Sequence, residues 1–120
     1  MAATETRTDV MTPSPRALAA KARSKKESEQ RLKRAQRASI LLKHVSDATR
    51  LQIVLLLAAG ERHVGDLSEA LNQTQPAVSH HLALMRHGGI VVPRRQGKNN
   101  FYSLTDTGEE LAKVVKAMLS

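Results

Sequence analysis

A short run of polar side chains between Thr74 and His81 has the residue types needed to hydrogen-bond with DNA. The amide of Gln75 can make a bidentate bond to adenine, and Ser79 or His80 can donate to base or phosphate oxygens. Apolar residues at positions 78, 82 and 85 follow helical spacing and would face a core, which leaves the polar groups outward. We predict that one helix presents the DNA-contacting residues Thr74, Gln75, Ser79, His80 and His81.

Two short helices joined by a polar turn would position this run. The apolar stripe of the first helix consists of Leu67, Ala70 and Leu71. Asn72 tolerates the left-handed conformation that a helix exit often needs. Thr74 is placed to cap the second helix, and Pro76 falls in its first turn, where a missing N–H costs little. The pattern is typical of a helix-turn-helix.

A basic hairpin is predicted directly after the second helix. Gly88 and Gly89 end that helix, Ile90–Val92 is a β-branched run, and Phe101–Leu104 is a second strand-like run. We expect a polar loop, residues 93–100, between the two strands. A helix-turn-helix followed by such a hairpin is a winged helix, whose basic tip would reach DNA phosphates or an adjacent minor groove. The predicted wing contacts are Arg94, Arg95, Lys98, Asn99 and Asn100.

Four segments of the chain resemble the ArsR/SmtB family of bacterial winged-helix repressors. They read S-D-A-T-R-L-Q-I-V-L-L-L (46–57), V-G-D-L-S-E-A-L (64–71), Q-P-A-V-S-H-H-L-A-L-M-R (75–86) and R-Q-G-K-N-N-F-Y-S-L-T (95–105). The resemblance covers about residues 40–120. It implies a mainly α fold with a small β-hairpin, a winged helix-turn-helix in the order α-α-α-α-β-β-α, and a homodimer.

The same resemblance implies a function. Members of the family bind an imperfect inverted repeat at a promoter and block transcription until a signal releases them. Double-stranded DNA is therefore the expected partner. By position, the family's DNA-contacting residues correspond to Gln75, Ser79 and His80 in this chain, with the wing at residues 94–100.

Length and composition indicate one small cytoplasmic protein. With 120 residues, the chain is near the lower end of comfortable core size, so dimerisation would also add stability. The apolar run Ile53–Ala59 is too short to cross a membrane, and the N-terminus lacks the pattern of a secretory signal. The absence of cysteine excludes a disulfide framework, a thiolate metal site and a thiol switch.

The net charge of +8 is unevenly distributed. Residues 1–45 hold eleven Lys/Arg against four Asp/Glu, whereas residues 46–120 hold eight against seven. The winged helix is thus nearly neutral, and the motif rather than bulk charge supports DNA binding.

The basic excess lies in an N-terminal extension. We expect residues 1–15 to be a disordered tail and residues 16–120 a single winged-helix domain, within which residues 16–45 are a basic helical extension. A firm helix is expected from about Glu29 to Lys43, extending or fraying upstream. Its basic forepart is either a solvated face or a contact to DNA beside the operator.

Two further helices flank the helix-turn-helix. Ser46 is predicted to cap a core helix that Gly60 ends, with Asp47 in its first turn. The last helix is expected from about Asp106 to Leu119, with a wide apolar stripe. Such a stripe is expected to be buried, either against its own domain or against a two-fold partner, with the first helix packed alongside. The predicted dimer interface comprises Ile40, Leu41, Leu111, Val114, Val115 and Met118.

The metal ligands found in many members of the resembled family are missing. Their cysteine pattern is replaced by His63-Val64-Gly65, and only Asp106 remains of the Asp/His set on the last helix. One imidazole cannot hold a transition metal by itself. We therefore predict no metal and no cofactor, and an effector that is another small molecule, a protein, or absent. The alternative is a repressor that responds to metal through histidines.

The sequence contains no catalytic constellation: no nucleophile–base set, no phosphate-binding glycine loop and no paired carboxylates with a role. We predict a DNA-binding transcriptional regulator without enzymatic activity or membrane association. The rival interpretation, from another class, is a winged helix that serves only for dimerisation or protein interaction.

Overall fold

The computed structural model describes residues 12–120, which contain five helices and three strands. The helices are α1 (Pro15–Val45), α2 (Ala48–Ala58), α3 (Val64–Leu71), α4 (Gln75–His87) and α5 (Asp106–Leu119). The strands are β1 (Arg62–His63), β2 (Val91–Gln96) and β3 (Asn99–Leu104). The predicted mainly helical winged helix-turn-helix is confirmed, with one additional strand. Most of the predicted disordered tail, residues 1–11, lies outside the described residues.

The chain separates into two compact units, with the boundary between Arg37 and Ala38. In the first unit, the described residues form the N-terminal part of α1, where the Ser14 hydroxyl accepts a hydrogen bond from the Ala17 N–H at 3.1 Å. The helix begins well upstream of Glu29 because residues 16–37 are mostly good helix formers and include neither Gly nor Pro. No helix within residues 12–120 is both long enough and apolar enough to span a bilayer.

The core lies in the second unit and includes the inward face of α4. Val78, Leu82 and Met85 are completely buried, as their spacing predicted. In α3 only part of the predicted stripe is covered: Leu67 is buried, whereas Ala70 is exposed. Leu71 is partly buried, so this eight-residue helix, which makes about two turns, contacts the core through one side of the stripe.

Local caps define where the helices begin and end. Thr74 accepts a hydrogen bond from the Ala77 N–H at 3.3 Å, and Asn72 has a left-handed φ of 55°, so both predictions are confirmed. The predicted cap of α2 is wrong by one residue: Asp47, not Ser46, accepts from the Arg50 N–H, at 3.1 Å. Both residue types cap well, so the pattern alone does not distinguish them.

The hairpin is longer than the sequence predicted. Strands β2 and β3 pair from Val91–Leu104 to Gln96–Asn99, so most of the predicted loop is strand and only residues 97 and 98 form the turn. Pro93 is tolerated because β2 is an edge of the sheet, whose order is β1-β3-β2. Strand β1 was not predicted, since two residues are too few to show an alternating pattern in the sequence.

Gly108 marks a close approach between α5 and the start of the hairpin. It is buried, and a methyl group on its Cα would overlap the carbonyl oxygen of Ile90 and press on the Leu104 side chain. Thr105 holds that carbonyl with hydrogen bonds from its N–H at 3.0 Å and its hydroxyl at 3.1 Å. A side chain at position 108 would therefore collide with a backbone carbonyl that cannot easily move.

We expect Gly108→Ala to lower the free energy of unfolding. Replacing a helical Gly by Ala normally stabilises by about 1 kcal/mol, but overpacking costs about 1–3 kcal/mol. Because the overlap here is with a fixed carbonyl, the cost should exceed the gain and lower Tm by several degrees in thermal unfolding followed by circular dichroism. The exposed neighbour change Thr107→Ala serves as control at the same protein concentration. A Tm of the Gly108→Ala variant equal to or above that of the parent would contradict this prediction.

Candidate nucleic-acid interface

The N-terminal half of α4 presents a polar surface because its opposite side is anchored in the core. Gln75, Ser79 and His80 are exposed, and Thr74 precedes them as the cap. The helix begins with Pro76 in its first turn, which loses no intrahelical bond. The three outward side chains thus lie on a rigid helix, which is the kind of element that holds binding groups in a defined geometry.

A polar cleft of about 280 Å³ brings part of this surface together with the wing. Gln75 and Ser79 line it from α4, and Lys98, Asn99 and Asn100 line it from the hairpin. Five of the ten predicted DNA-contacting residues therefore surround one concave surface. A cleft with amide, hydroxyl and ammonium groups can hydrogen-bond to phosphate oxygens and base edges together.

His63, which stands where many members of the resembled family have a metal-binding cysteine, also lines this cleft. Its Nδ1 accepts a hydrogen bond from the Asp66 N–H at 3.4 Å, so the imidazole caps α3. The ring also contacts Phe101 edge-on, with centroids 5.5 Å apart. A Cβ at Gly65 would come within 2.8 Å of the imidazole, which shows how closely the ring is held. The sequence offered little indication of this capping role, because histidine is not among the usual capping residues.

His81 has a different environment from its neighbour His80. Its Nδ1 accepts a hydrogen bond from Arg50 Nε at 3.1 Å and lies 4.0 Å from a carboxylate oxygen of Asp47. Only 19% of its side chain is exposed. Arg50 also donates to the His44 carbonyl at 3.3 Å. These contacts connect α2 with α4, so the His81 side chain packs toward α2 instead of facing outward with Gln75 and Ser79.

Asp47 completes that connection electrostatically. The N–H of Arg50 donates to its carboxylate and is the main reason that the pKa of Asp47 lies below its ordinary value. Burial is the next largest influence and raises this pKa, whereas the smaller electrostatic effect of nearby His81 lowers it. The carboxylate therefore stays ionised at neutral pH and remains a good cap.

Arg94, predicted as a wing contact, is held by a partner at the base of the wing. Its Nε donates to Glu61 at 3.1 Å and its Nη2 donates to the other carboxylate oxygen. The guanidinium also lies 5.4 Å from the centroid of Phe101. The hydrogen bonds between the two side chains lower the pKa of Glu61 and raise that of Arg94. Arg94 thus braces the hairpin against the segment that precedes β1.

Two cations remain exposed at the wing tip. Arg95 donates from Nε to the Gly97 carbonyl at 3.3 Å, across the turn, and Lys98 lies beside it. Gly97 has a φ of 62°, which glycine adopts without strain. The tip therefore presents positive charge on a short, defined turn.

The predicted dimer residues differ in exposure. Ile40, Val114 and Met118 are 58%, 53% and 78% exposed, respectively. Leu41 and Val115 are partly buried, whereas Leu111 belongs to the core of its own chain. Three of the six predicted interface residues are therefore exposed on α1 and α5, as are Leu42 and Leu119 of the same two helices.

Three of the five histidines make separate structural contacts within the protein. His44 packs against Gly88, where an added Cβ would lie 2.7 Å from its ring, while His63 and His81 have the partners described above. Within residues 12–120 no group of three or more His, Cys, Asp or Glu side chains is arranged to hold a metal ion. The absence of a metal cofactor stays a prediction.

Comparison with known proteins gives a consistent result. The sequence model of the arsR family of bacterial regulatory proteins matches residues 47–92. The arsenical resistance operon repressor of Escherichia coli K12 is 52% identical over 66 residues, which cover 54% of this chain and 56% of that protein, a little over half of its length. The biofilm growth-associated repressor of Agrobacterium fabrum is 38% identical over 86 residues, 72% of each chain.

Among solved structures, similarity extends to the homodimeric winged helix-turn-helix DNA-binding domain of Mb0332 from Mycobacterium bovis. The TM-score is 0.66 at 26% sequence identity, and the match covers 75% of this chain and 84% of the other. The structural similarity thus extends over more of the chain than the residues matched by the family model.

Proposed function

The chain belongs to the ArsR family of bacterial regulatory proteins, and from that membership we propose that it is a dimeric, sequence-specific DNA-binding transcriptional repressor. The Escherichia coli and Agrobacterium fabrum relatives are repressors rather than enzymes, in agreement with the predicted lack of catalytic activity. A DNA target implies that the protein acts in the cytoplasm.

The observation that carries this proposal is the polar cleft between α4 and the wing. Reading helices lie in the major groove with their N-terminal residues at the base edges. Gln75, Ser79 and His80 are the exposed groups at that end of α4. On this proposal they read bases, while Lys98 and the adjacent asparagines bind the backbone beside the groove.

Two predicted contacts take a positioning role in the proposal. Arg94 is engaged with Glu61, and His81 with Arg50, so neither side chain needs to touch DNA to matter. Arg94 orients the wing, and His81 orients the reading helix. Arg95 and Lys98 then provide the phosphate contacts of the wing.

A homodimer is proposed from the exposed apolar side chains of α1 and α5. Ile40, Val114 and Met118 would be covered by a second copy of the chain. The Mycobacterium bovis domain, with the same fold, is homodimeric. Two reading helices related by a two-fold axis fit an inverted repeat whose half-sites lie about one helical turn apart, ~10–11 base pairs.

The proposal includes no metal and no other cofactor. Its effector would be a small molecule or a protein, or the repressor would act without one; within residues 12–120 no group of three or more His, Cys, Asp or Glu side chains is arranged to hold a metal ion.

A mobility-shift assay with the promoter region of the protein's own gene and with random duplexes tests the proposal. A specific regulator should prefer its site by ~10³-fold or more and should lose affinity steeply as salt rises. DNase footprinting would then define the operator. A protein that bound every duplex equally, or none, would instead be an interaction module, and the proposed function would be wrong.

A further inference from the structure

The first part of α1 carries most of the positive charge of the chain. Residues 15–37 hold nine Lys/Arg and two Asp/Glu, a net charge of +7. Residues 38–120, which contain the winged helix, hold nine and seven, a net charge of +2. Every residue from 15 to 37 is exposed. The segment with the highest density of positive charge therefore precedes the winged helix along the chain.

The cations of this segment are not spread evenly around the helix. At 3.6 residues per turn, six of the nine fall within a sector of about 100°. We call this set the basic stripe; its members are Arg16, Arg23, Lys26, Lys33, Arg34 and Arg37. The remaining positions of the same sector are Pro15, Ala19 and Gln30, so no acidic residue interrupts it. Among the described residues, none of the six forms an ion pair.

The dimensions and chemistry of the basic stripe fit a DNA backbone. From Arg16 to Arg37 the helix rises about 32 Å at 1.5 Å per residue, close to one turn of B-DNA. Guanidinium and ammonium groups bind phosphate oxygens through charge-assisted hydrogen bonds. Membrane-binding helices need a broad apolar face, but the large apolar side chains of this segment are only Leu18 and Leu32.

The basic stripe also lies outside the part of the chain that the family's sequence model matches. The family's sequence model begins at residue 47, and the Mycobacterium bovis domain covers 75% of this chain. The helix is covalently continuous with the winged helix, so once that domain is bound, nearby phosphates are at a high effective concentration. We propose that the basic stripe binds the phosphate backbone of DNA flanking the site that α4 reads, which rests on the proposed function.

Two full-length triple variants with the same change of charge test this inference. The stripe variant is Lys26→Gln/Lys33→Gln/Arg37→Gln. The control is Lys21→Gln/Lys25→Gln/Arg31→Gln, which removes the same residue types from the rest of the helix. Circular dichroism of both variants checks that helix content matches the parent's. Binding is measured by fluorescence anisotropy on the footprinted site alone, on that site with ~20 base pairs added at each end, and on a random duplex of ~40 base pairs.

We expect the parent to bind the flanked site about 10-fold more tightly than the bare site. The stripe variant should lose this gain and bind the random duplex more weakly, whereas the control should keep most of both. The plot of log K against log salt should become shallower in the stripe variant. The magnitude of its slope should decrease by about 2–3 per protomer, because each lost phosphate contact reduces that magnitude by ~0.9.

Several results would overturn the inference. They are equal losses in the two variants, no effect of flanking DNA on the parent, or a stripe-dependent affinity for phosphatidylglycerol vesicles without one for DNA. Failure of the proposed function is distinguishable, because the parent would then show no preference for any site, while the random duplex would still report on the stripe.

Discussion

Replacing Met118 by glutamate is expected to separate the dimer and with it to abolish tight operator binding. The side chain is 78% exposed on a single chain, so the substitution should leave the fold intact. In a two-fold interface each change appears twice, and an unpaired carboxylate is costly to bury. We expect a dimer dissociation constant raised about 100-fold or more, measured by sedimentation equilibrium, with a comparable loss of affinity for the full operator.

The matched control is Lys116→Gln on the same helix. It changes the net charge by the same amount and lies at an exposed position away from Val114 and Met118. This variant should remain dimeric and bind the operator like the parent. A dimeric Met118→Glu variant, or a parent that is monomeric at micromolar concentration, would show that α5 does not form the interface.

The double change Ser79→Ala/His80→Ala should remove most of the sequence preference while leaving non-specific binding nearly unchanged. Each side chain is exposed near the start of α4, and neither belongs to the core. A good base contact contributes about 1–3 kcal/mol of discrimination, so the two together should weaken operator binding about 30-fold or more. Random duplexes, held through phosphates, should be bound almost as well as by the parent.

His87→Ala controls for the loss of an imidazole on the same helix, because His87 is exposed at the opposite end of α4. It should retain the parent's preference for the operator. If the double variant still discriminated its site by the parent's factor in fluorescence anisotropy, the bases would be read by other residues.

Much of the candidate site could be predicted because its determinants are local. Thr74 caps α4 through the N–H three residues later, and Asn72 ends α3 by its own backbone conformation. The bounds of α5 and the inward spacing of Val78 and Leu82 likewise depend on neighbours within two turns. Such interactions are set by residue type and short spacing, which a single sequence displays directly.

Other features depend on pairs that are distant along the chain. Arg94 binds Glu61 across 33 positions, and Arg50 binds His81 across 31. Each of these side chains could equally have faced solvent or DNA, since charge and spacing say nothing about the partner that folding brings near. The strand β1 is of the same kind, because two residues become a strand only when β3 lies beside them.

The amino-acid sequence by itself determined the helix-turn-helix, the wing and the basic stripe, since periodicity, caps and charge act over a few residues. The tertiary structure alone decided which of the polar groups remain available for DNA. It pairs His81 and Arg94 with side chains of the same chain, gathers Gln75 and Ser79 with Lys98 around one cleft, and leaves Val114 and Met118 uncovered. The physical reason is that availability depends on three-dimensional packing, in which a side chain is either satisfied by a distant partner or left for another molecule.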